Sequence, residues 1–462
     1  MEKPSLPSGT RDFGPEIMKK RKFVLSVMER VFRSHGFLPI ETPSLENLKT
    51  LQGKYGDEGD QLLFKVLNSG EYFSKIKLEN WPQNPTDTDY KSMTPQISDR
   101  GLRYDLTVPL ARFVVMNRDK LAFPFKRYQM QPVWRADRPQ KGRYREFWQC
   151  DIDIVGSNSV VSEAELVECY QEVFAQLNLE VQIKINHRLI LDAFLPLLGG
   201  REHWNSFMVA IDKFDKIGQD GVSLELEQRG LPHSISAWNT LCEIASLNNT
   251  EQKLQALEQF SEIQNDSLTQ GIAQVRELLT LLPNQNNVFL DLRLARGLSY
   301  YTGCVFEVVS NDPRIPSDFR IGSIGGGGRY DNLTGVFGLK DVPGVGVSFG
   351  LDRILDTLES ANLLEVNNEW AGVLICCMEE DYLSTAAQIA RDLRNHNLIC
   401  EVYPGAPKLK KQLDYANSKG CKYALILGES EMQQQQAMVK NLETGEQQLI
   451  DWSKLSHTLT FN

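Results

Sequence analysis

Apolar residues recur along this chain with two different periods, and each predicts a different kind of element. From Pro15 to near His35, Val24, Val27, Met28 and Val31 share one helical face; Pro15 suits the first turn and Gly36 the stop. The following FLPIETPSLE carries Pro39 and Pro43, which remove backbone donors and hold the segment extended. A second helical stripe, Leu166, Tyr170, Val173, Phe174 and Leu177, begins near Ser162 and Glu165, spaced as a capping box.

Three segments alternate with period two, which puts one set of side chains on a buried face and the other on an open one. In LRYDLTV, Arg103, Asp105 and Thr107 oppose Leu102, Tyr104, Leu106 and Val108. In REFWQCDIDIV, Phe147, Gln149, Asp151 and Asp153 oppose Trp148, Cys150, Ile152 and Ile154. Each reads as a strand with one face in the core and the other lining a site. In VFLDLRLARG, Val288, Leu290, Leu292 and Leu294 share a side, and continuing that parity places Arg296 on the apolar side. A charge that breaks its local pattern marks a functional candidate.

Between these strands, residues 192–284 are polar and helix-like, interrupted by LGG and LNNT, and carry no recognisable chemistry. They read as an inserted domain between residues 1–191 and 285–366. From 367 to 462 the pattern becomes strand, helix, strand: GVLICC, a helix over Tyr382 to Asn395, LICEVY, a helix near Lys410 to Ser418, and YALILG. This predicts a small α/β domain with a mostly parallel sheet. A chain of 462 residues exceeds the size of a single core, so several domains are expected.

Composition narrows the function. A net charge of −10 argues against nonspecific coating of nucleic acid. Yet between Lys126 and Arg145 seven basic residues meet one acid, Asp137, a local patch suited to a phosphate-rich ligand. No apolar run reaches the roughly 18–20 residues of a membrane span, and none near the N-terminus resembles a signal peptide, so a cytoplasmic protein is expected. The eight cysteines show no zinc spacing and read as buried thiols. SIGGGGRYD lacks the Gly-Lys-Ser/Thr of a phosphate-cradling loop; it is either a flexible turn or a place where backbone approaches a ligand closely.

VWRADRPQKGRYREFWQCDID resembles motif 2 of the class II aminoacyl-tRNA synthetases, PIETPSLE with Pro43 resembles motif 1, and GVGVSFGLDRI with Arg353 resembles motif 3. LARGLSYYTGCVFEV and LRYDLTVP are similar to segments of the histidyl-tRNA synthetases. The resemblance implies an α+β fold: an antiparallel-sheet catalytic domain with a helical insertion, then a C-terminal α/β anticodon-binding domain. It also implies a homodimer joined through motif 1, and the substrates histidine, ATP and histidine tRNA, with Mg²⁺ carried on the ATP phosphates and no zinc.

Carried over by residue, the resemblance assigns Arg135, Arg296 and Arg353 to catalysis. Arg135 and Arg296 would meet the α-phosphate, Phe147 would stack on adenine with Arg353 on the opposite face, and Arg143 would help bind pyrophosphate. Asp137 would complete the ATP site. Asp105, Thr107 and Gln149 would hold the α-ammonium, and Asp153 and Tyr301 the imidazole nitrogens. Tyr300 would belong to the same pocket, Tyr330 would close its wall, and Gln140 would face the 5′ guanosine of the tRNA. Lys408, Lys410, Lys411, Lys419 and Lys422 would lie in the anticodon domain.

Taken singly, Arg138 and Arg145 read as solvated surface charges, and the C-terminal lysines as a solvated helix face. Ser299 stands where the Arg-Gly-Leu signature more usually has aspartate, and Asp105 and Asp153 are shorter than the glutamates of some relatives. Two other readings stay open: a paralogue that binds histidine without catalysis, and a class II enzyme for threonine, proline or glycine.

Overall fold

The structure is a computed structural model describing residues 3–54, 56–73, 86–231, 233–295, 301–316, 319, 321–332, 334–364 and 372–459. It divides into two compact units, Met1–Leu364 and Glu365–Asn462.

The first unit is built on an eight-stranded sheet. Helix α1 (Pro15–Ser34) buries Val24, Val27, Met28 and Val31 and stops before Gly36, whose φ of +77° suits glycine. Strand β1 (Leu38–Pro39) follows, and then helix α2 (Thr107–Met116). Strands β2 (Phe125–Trp134) and β3 (Glu146–Val155) form a long hairpin, followed by helix α3 (Val161–Gln176) and strand β4 (Val181–His187). Strands β5 (Val288–Leu290), β6 (Cys304–Ser310), β7 (Gly325–Arg329) and β8 (Gly344–Gly350) lead into helix α4 (Leu351–Ser360). The order is β1-β2-β3-β8-β7-β6-β4-β5, antiparallel except for the outer pairs β1·β2 and β4·β5. Its core face is covered by α1 and α3, with Tyr170, Phe174 and Phe32 packed around Phe349 of β8.

Residues 188–281, apart from the undescribed Pro232, form a series of short helices joined by turns, and bury Phe207, Leu226, Trp238, Leu241 and Val275. Two of these helices are capped by asparagine: Asn249 accepts from the Gln252 N–H at 2.8 Å and Asn265 from Leu268 at 2.9 Å.

Several sequence expectations need correction. LRYDLTV is not a strand: pairing ends at Leu102, and Thr107 already begins α2. Asp105 accepts the Val108 N–H at 3.1 Å, and Pro109 falls in the first turn, where a missing N–H costs nothing. Ser162 does not cap α3; its hydroxyl meets Ser157, and the Ser159 hydroxyl accepts from Val161. The strand in VFLDLRLARG ends at Leu290, although Leu292 and Leu294 stay buried as the alternation requires. The glycine run is a central strand, not a flexible turn.

The second unit contains β9 (Val373–Cys377), α5 (Leu383–Asn395), β10 (Cys400–Val402), α6 (Leu409–Lys419) and β11 (Tyr423–Leu427). These strands are parallel, as read from the sequence, but β12 (Gln436–Asn441) and β13 (Gln447–Asp451) add an antiparallel hairpin, so the sheet is mixed. Gln412 is fully buried and bonds both backbone groups of Cys377 at 3.1 and 2.8 Å. All eight cysteines are free and buried.

Candidate active site

The open face of the large sheet carries a cleft of about 910 Å³. Strand β3 supplies its floor: Cys150, Ile152 and Ile154 point into the core, while Phe147, Gln149, Asp151 and Asp153 line the cleft. Tyr104, Asp105, Thr107, Arg135, Asp137, Gln140, Arg143, Tyr301, Tyr330 and Arg353 line it too. Every described residue proposed for chemistry in the first unit therefore converges on one chamber. Arg296 and Tyr300 lie outside the described residues. Tyr104 joins the lining while Arg103 turns away, donating to the Thr42 and Pro132 carbonyls at 2.6 and 2.9 Å.

At one end the cleft is cationic. Arg135 follows β2 and donates through Nε to the Tyr104 carbonyl at 3.0 Å, its guanidinium 4.2 Å from the Tyr104 ring and 5.2 Å from that of Phe147. Among the described residues no carboxylate pairs with it, so its charge is available to an anion. Arg353, in the first turn of α4, donates to the Gly142 and Ser323 carbonyls at 2.8 and 2.7 Å, tying the β2–β3 loop to the segment before β7. In that loop Arg143 pairs with Asp137 at 2.8 Å, and Gln140 is exposed. Arg145 is no idle surface charge: its Nε donates to the Asp137 carbonyl at 3.0 Å, and its N–H to Gly9 at 2.9 Å. Arg138 is exposed as expected.

The other end is acidic and buried. Asp153 pairs with Arg127 of β2 at 2.6 Å and accepts the Tyr330 hydroxyl. Burial raises the Asp153 carboxyl above the ordinary carboxylate range, while Arg127 and Tyr330 oppose the rise. The β7 and β8 glycines explain how strands close over these groups. A Cβ on Gly346 would lie 1.9 Å from Asp153 Oδ1, one on Gly328 2.9 Å from the Tyr301 ring, and one on Gly327 2.1 Å from the Gly346 carbonyl. Gly325, Gly326 and Gly327 also line the cleft. The helical segment 188–281 reaches its rim at Asp212 and Phe214, the latter under the Arg293 guanidinium at 4.6 Å.

Three contributors escaped the sequence reading, Arg127, Ser348 and Gly346, and Asp151 was given no role of its own. The alternation in β3 already put Asp151 on the lined face; Arg127, Ser348 and Gly346 needed the strand register. Two remote residues brace the cationic end. Asp352 accepts the Trp148 N–H at 2.8 Å and pairs with Arg11 and Arg21 at 2.5 and 2.6 Å; Arg11 lies 3.3 Å over Tyr144.

A family profile described as histidyl-tRNA synthetase matches residues 84–354, more than half of the chain. The chain belongs to the histidyl-tRNA synthetase family. An anticodon-binding-domain profile matches residues 372–462, within the second compact unit. Curated relatives named histidine–tRNA ligase include one from Cytophaga hutchinsonii, 46% identical across 99% of this chain and 100% of its own length. Another, from Christiangramia forsetii, is 44% identical across 99% of both chains. A solved histidyl-tRNA synthetase from Nostoc sp. PCC 7120 aligns with a TM-score of 0.77 at 28% identity, covering 99% of each chain. The family membership and the α+β class expected from the motifs are thus both met.

Proposed function

We propose that the chain activates histidine with ATP to histidyl-adenylate and transfers the histidyl group to the 3′ end of histidine tRNA, releasing AMP and pyrophosphate. The observation that carries this reading is the polarity of the cleft: at one end an arginine that has no acidic partner among the described residues, and at the other a buried, hydrogen-bonded carboxylate. The first suits a phosphate and the second an imidazole N–H.

The histidine carboxylate attacks the α-phosphate in line, forming the mixed anhydride as the bond to pyrophosphate breaks. Positioning and charge stabilisation carry this step, and no side-chain nucleophile is needed. Arg135 meets the developing charge, joined by Arg296. Phe147 stacks on adenine with Arg353 opposite, and Arg143, oriented by Asp137, receives pyrophosphate. Asp105, Thr107 and Gln149 hold the α-ammonium. Asp153 and Tyr301 take the two imidazole nitrogens, with Tyr300 in the same pocket and Tyr330 supporting Asp153. Leaving one nitrogen unpaired strands a buried group, the basis of strong discrimination.

Among the described residues no three His, Cys, Asp or Glu side chains gather to hold a metal. Mg²⁺ would arrive on the ATP phosphates and would neutralise their charge there. Gln140 faces the 5′ guanosine, and the second unit, with its lysines, binds the anticodon. In domain terms, residues 1–191 and 285–366 form the catalytic domain, 192–284 the insertion and 367–462 the anticodon domain. The enzyme works as a homodimer in the cytoplasm. No described helix is long and apolar enough to cross a membrane.

ATP–pyrophosphate exchange with each amino acid in turn tests the reading, followed by charging of histidine tRNA with and without its 5′ guanosine. Exchange with another amino acid overturns the substrate. Histidine binding with no exchange indicates a binding paralogue instead.

A further inference from the structure

We propose that Asp151 is an additional acidic acceptor for the α-ammonium of the amino-acid substrate, acting beside Gln149. The proposal rests on the reading of the cleft as a histidine site.

Asp151 is 3% exposed, lies between Gln149 and Asp153 on the lined face of β3, and faces Ser348 across the β3–β8 pairing. Its Oδ1 is buried and meets no hydrogen-bond partner among the described residues; the same holds for Gln149 Oε1. The Gln149 amide is oriented by its other end, Nε2 donating to Ser348 Oγ at 2.9 Å, which leaves Oε1 as an acceptor. Two buried acceptors two residues apart on one strand, both in the wall of the cleft, thus have no donor among the described residues. Such atoms cost free energy unless a ligand supplies N–H groups.

Charge specifies the ligand further. Among the described residues, the groups acting on Asp151 are Arg127 on β2, Asp153 on its own strand, Ser348 on β8, Asp105 before α2 and the buried Arg103. Arg127 directs its guanidinium at Asp153, 2.6 Å away, and Arg103 is bound to the Thr42 and Pro132 carbonyls, so among the described residues neither arginine forms an ion pair with Asp151, while Asp153 and Asp105 add two more acids nearby. Burial, aided by Asp153 and Asp105 and opposed by Arg127 and Ser348, pushes the Asp151 carboxyl up to about 7. The pocket floor is therefore short of positive charge. A primary ammonium brings one charge and three N–H donors, enough for Asp151, Gln149 and one further acceptor. Asp105 already spends one oxygen on the Val108 N–H, so a second acid adjoining the ammonium is not redundant.

The test compares wild type with Asp151→Asn, which keeps the shape and removes the charge. Exchange kinetics should show KM for histidine rising by about 10- to 100-fold, the range of a hydrogen bond to a charged group, with KM for ATP unchanged. Calorimetry with two analogues locates the contact. Histamine keeps the ammonium and should lose affinity in parallel, whereas imidazolepropionate, which lacks it, should bind both proteins equally. A histidine KM within about twofold of wild type overturns the proposal, as does an equal loss for imidazolepropionate, which would mark a structural or imidazole-facing role. Should Asp151→Asn fail to fold by circular dichroism, Asp151→Ser, smaller and uncharged, takes the same test. Absence of histidine exchange in wild type would sink the substrate reading and is scored separately.

Discussion

Replacing Gly346 by alanine should damage histidine recognition specifically, because the added methyl has one principal obstacle. Its Cβ would stand 1.9 Å from Asp153 Oδ1 and 2.4 Å from Cγ, whereas a carbon and an oxygen settle at about 3.3 Å. The carboxylate must therefore retreat by roughly 1.4 Å, in a buried site where it is held by Arg127 at 2.6 Å and by the Tyr330 hydroxyl. Both bonds cannot survive such a shift. Misplacing a binding group by about 1 Å costs around 10²-fold, and unpairing a buried charge costs roughly 3–5 kcal/mol. Gly346→Ala should accordingly lower kcat/KM for histidine at least about 100-fold in the exchange assay, leaving KM for ATP near its wild-type value. Gly327→Ala is the contrasting variant: its Cβ would lie 2.1 Å from the Gly346 carbonyl and 2.6 Å from Val347 Cα, backbone atoms that cannot step aside, so the protein should lose its fold. A folded Gly346→Ala enzyme with unchanged histidine kinetics would refute the assignment of Asp153 to the imidazole.

Three further outcomes follow from particular contacts. Arg135→Ala should lower the exchange kcat by roughly 10²–10³-fold, the effect of removing one preorganised transition-state donor, with lysine a poor substitute because it lacks the planar fork; wild-type exchange in Arg135→Ala would place the phosphate elsewhere. His187 is buried and accepts the Leu189 N–H through Nδ1 at 3.2 Å; burial, the largest cause, lowers its pKa to about 4. Below about 6.5 the unfolded chain takes up a proton that the folded chain refuses, so stability falls as pH drops, by about 2 kcal/mol between pH 7 and 5. His187→Asn, which can still cap, should show a smaller fall in Tm over that range, and an equal fall counts against this origin. Gln412→Leu strands the N–H and C=O of Cys377 and should destabilise the second unit by roughly 1–3 kcal/mol per group, seen as an earlier proteolytic cut there, while exchange stays intact because the cleft lies in the first unit.

Legibility in the sequence tracked how local each cause is. The stripe of α1 and the parity of β3 follow from one element meeting one core, and both emerged with the faces expected. LRYDLTV failed because alternation over seven residues is also compatible with a short strand followed by a helix start. The competing signal was present in Asp105, two residues before Thr107, and in Pro109 behind it, a pattern of cap and first turn. The glycine run failed for the opposite reason. Its composition allows a loose turn, and only partners some twenty residues away, Val347 opposite Gly327 and Gly346 opposite Gly328, make it a strand with no room for side chains.

Arg127 illustrates the part of the site that composition cannot reveal. In the sequence it is one of seven basic residues in a patch suited to phosphate. The hairpin register, which pairs Trp134 with Glu146, sets Arg127 opposite Asp153 and so removes it from the phosphate end altogether. A buried ion pair of this kind is weak evidence for stability, since a well-packed apolar pair of similar volume often serves as well. Its better rationale lies in recognition. The Arg127 ion pair and the Tyr330 hydroxyl both favour the ionised, accepting form of Asp153 against the burial that raises its pKa. An acceptor there selects a ligand with an N–H to give. The same arginine is committed to Asp153, and among the described residues no cation forms an ion pair with Asp151, so the demand for one passes to the substrate.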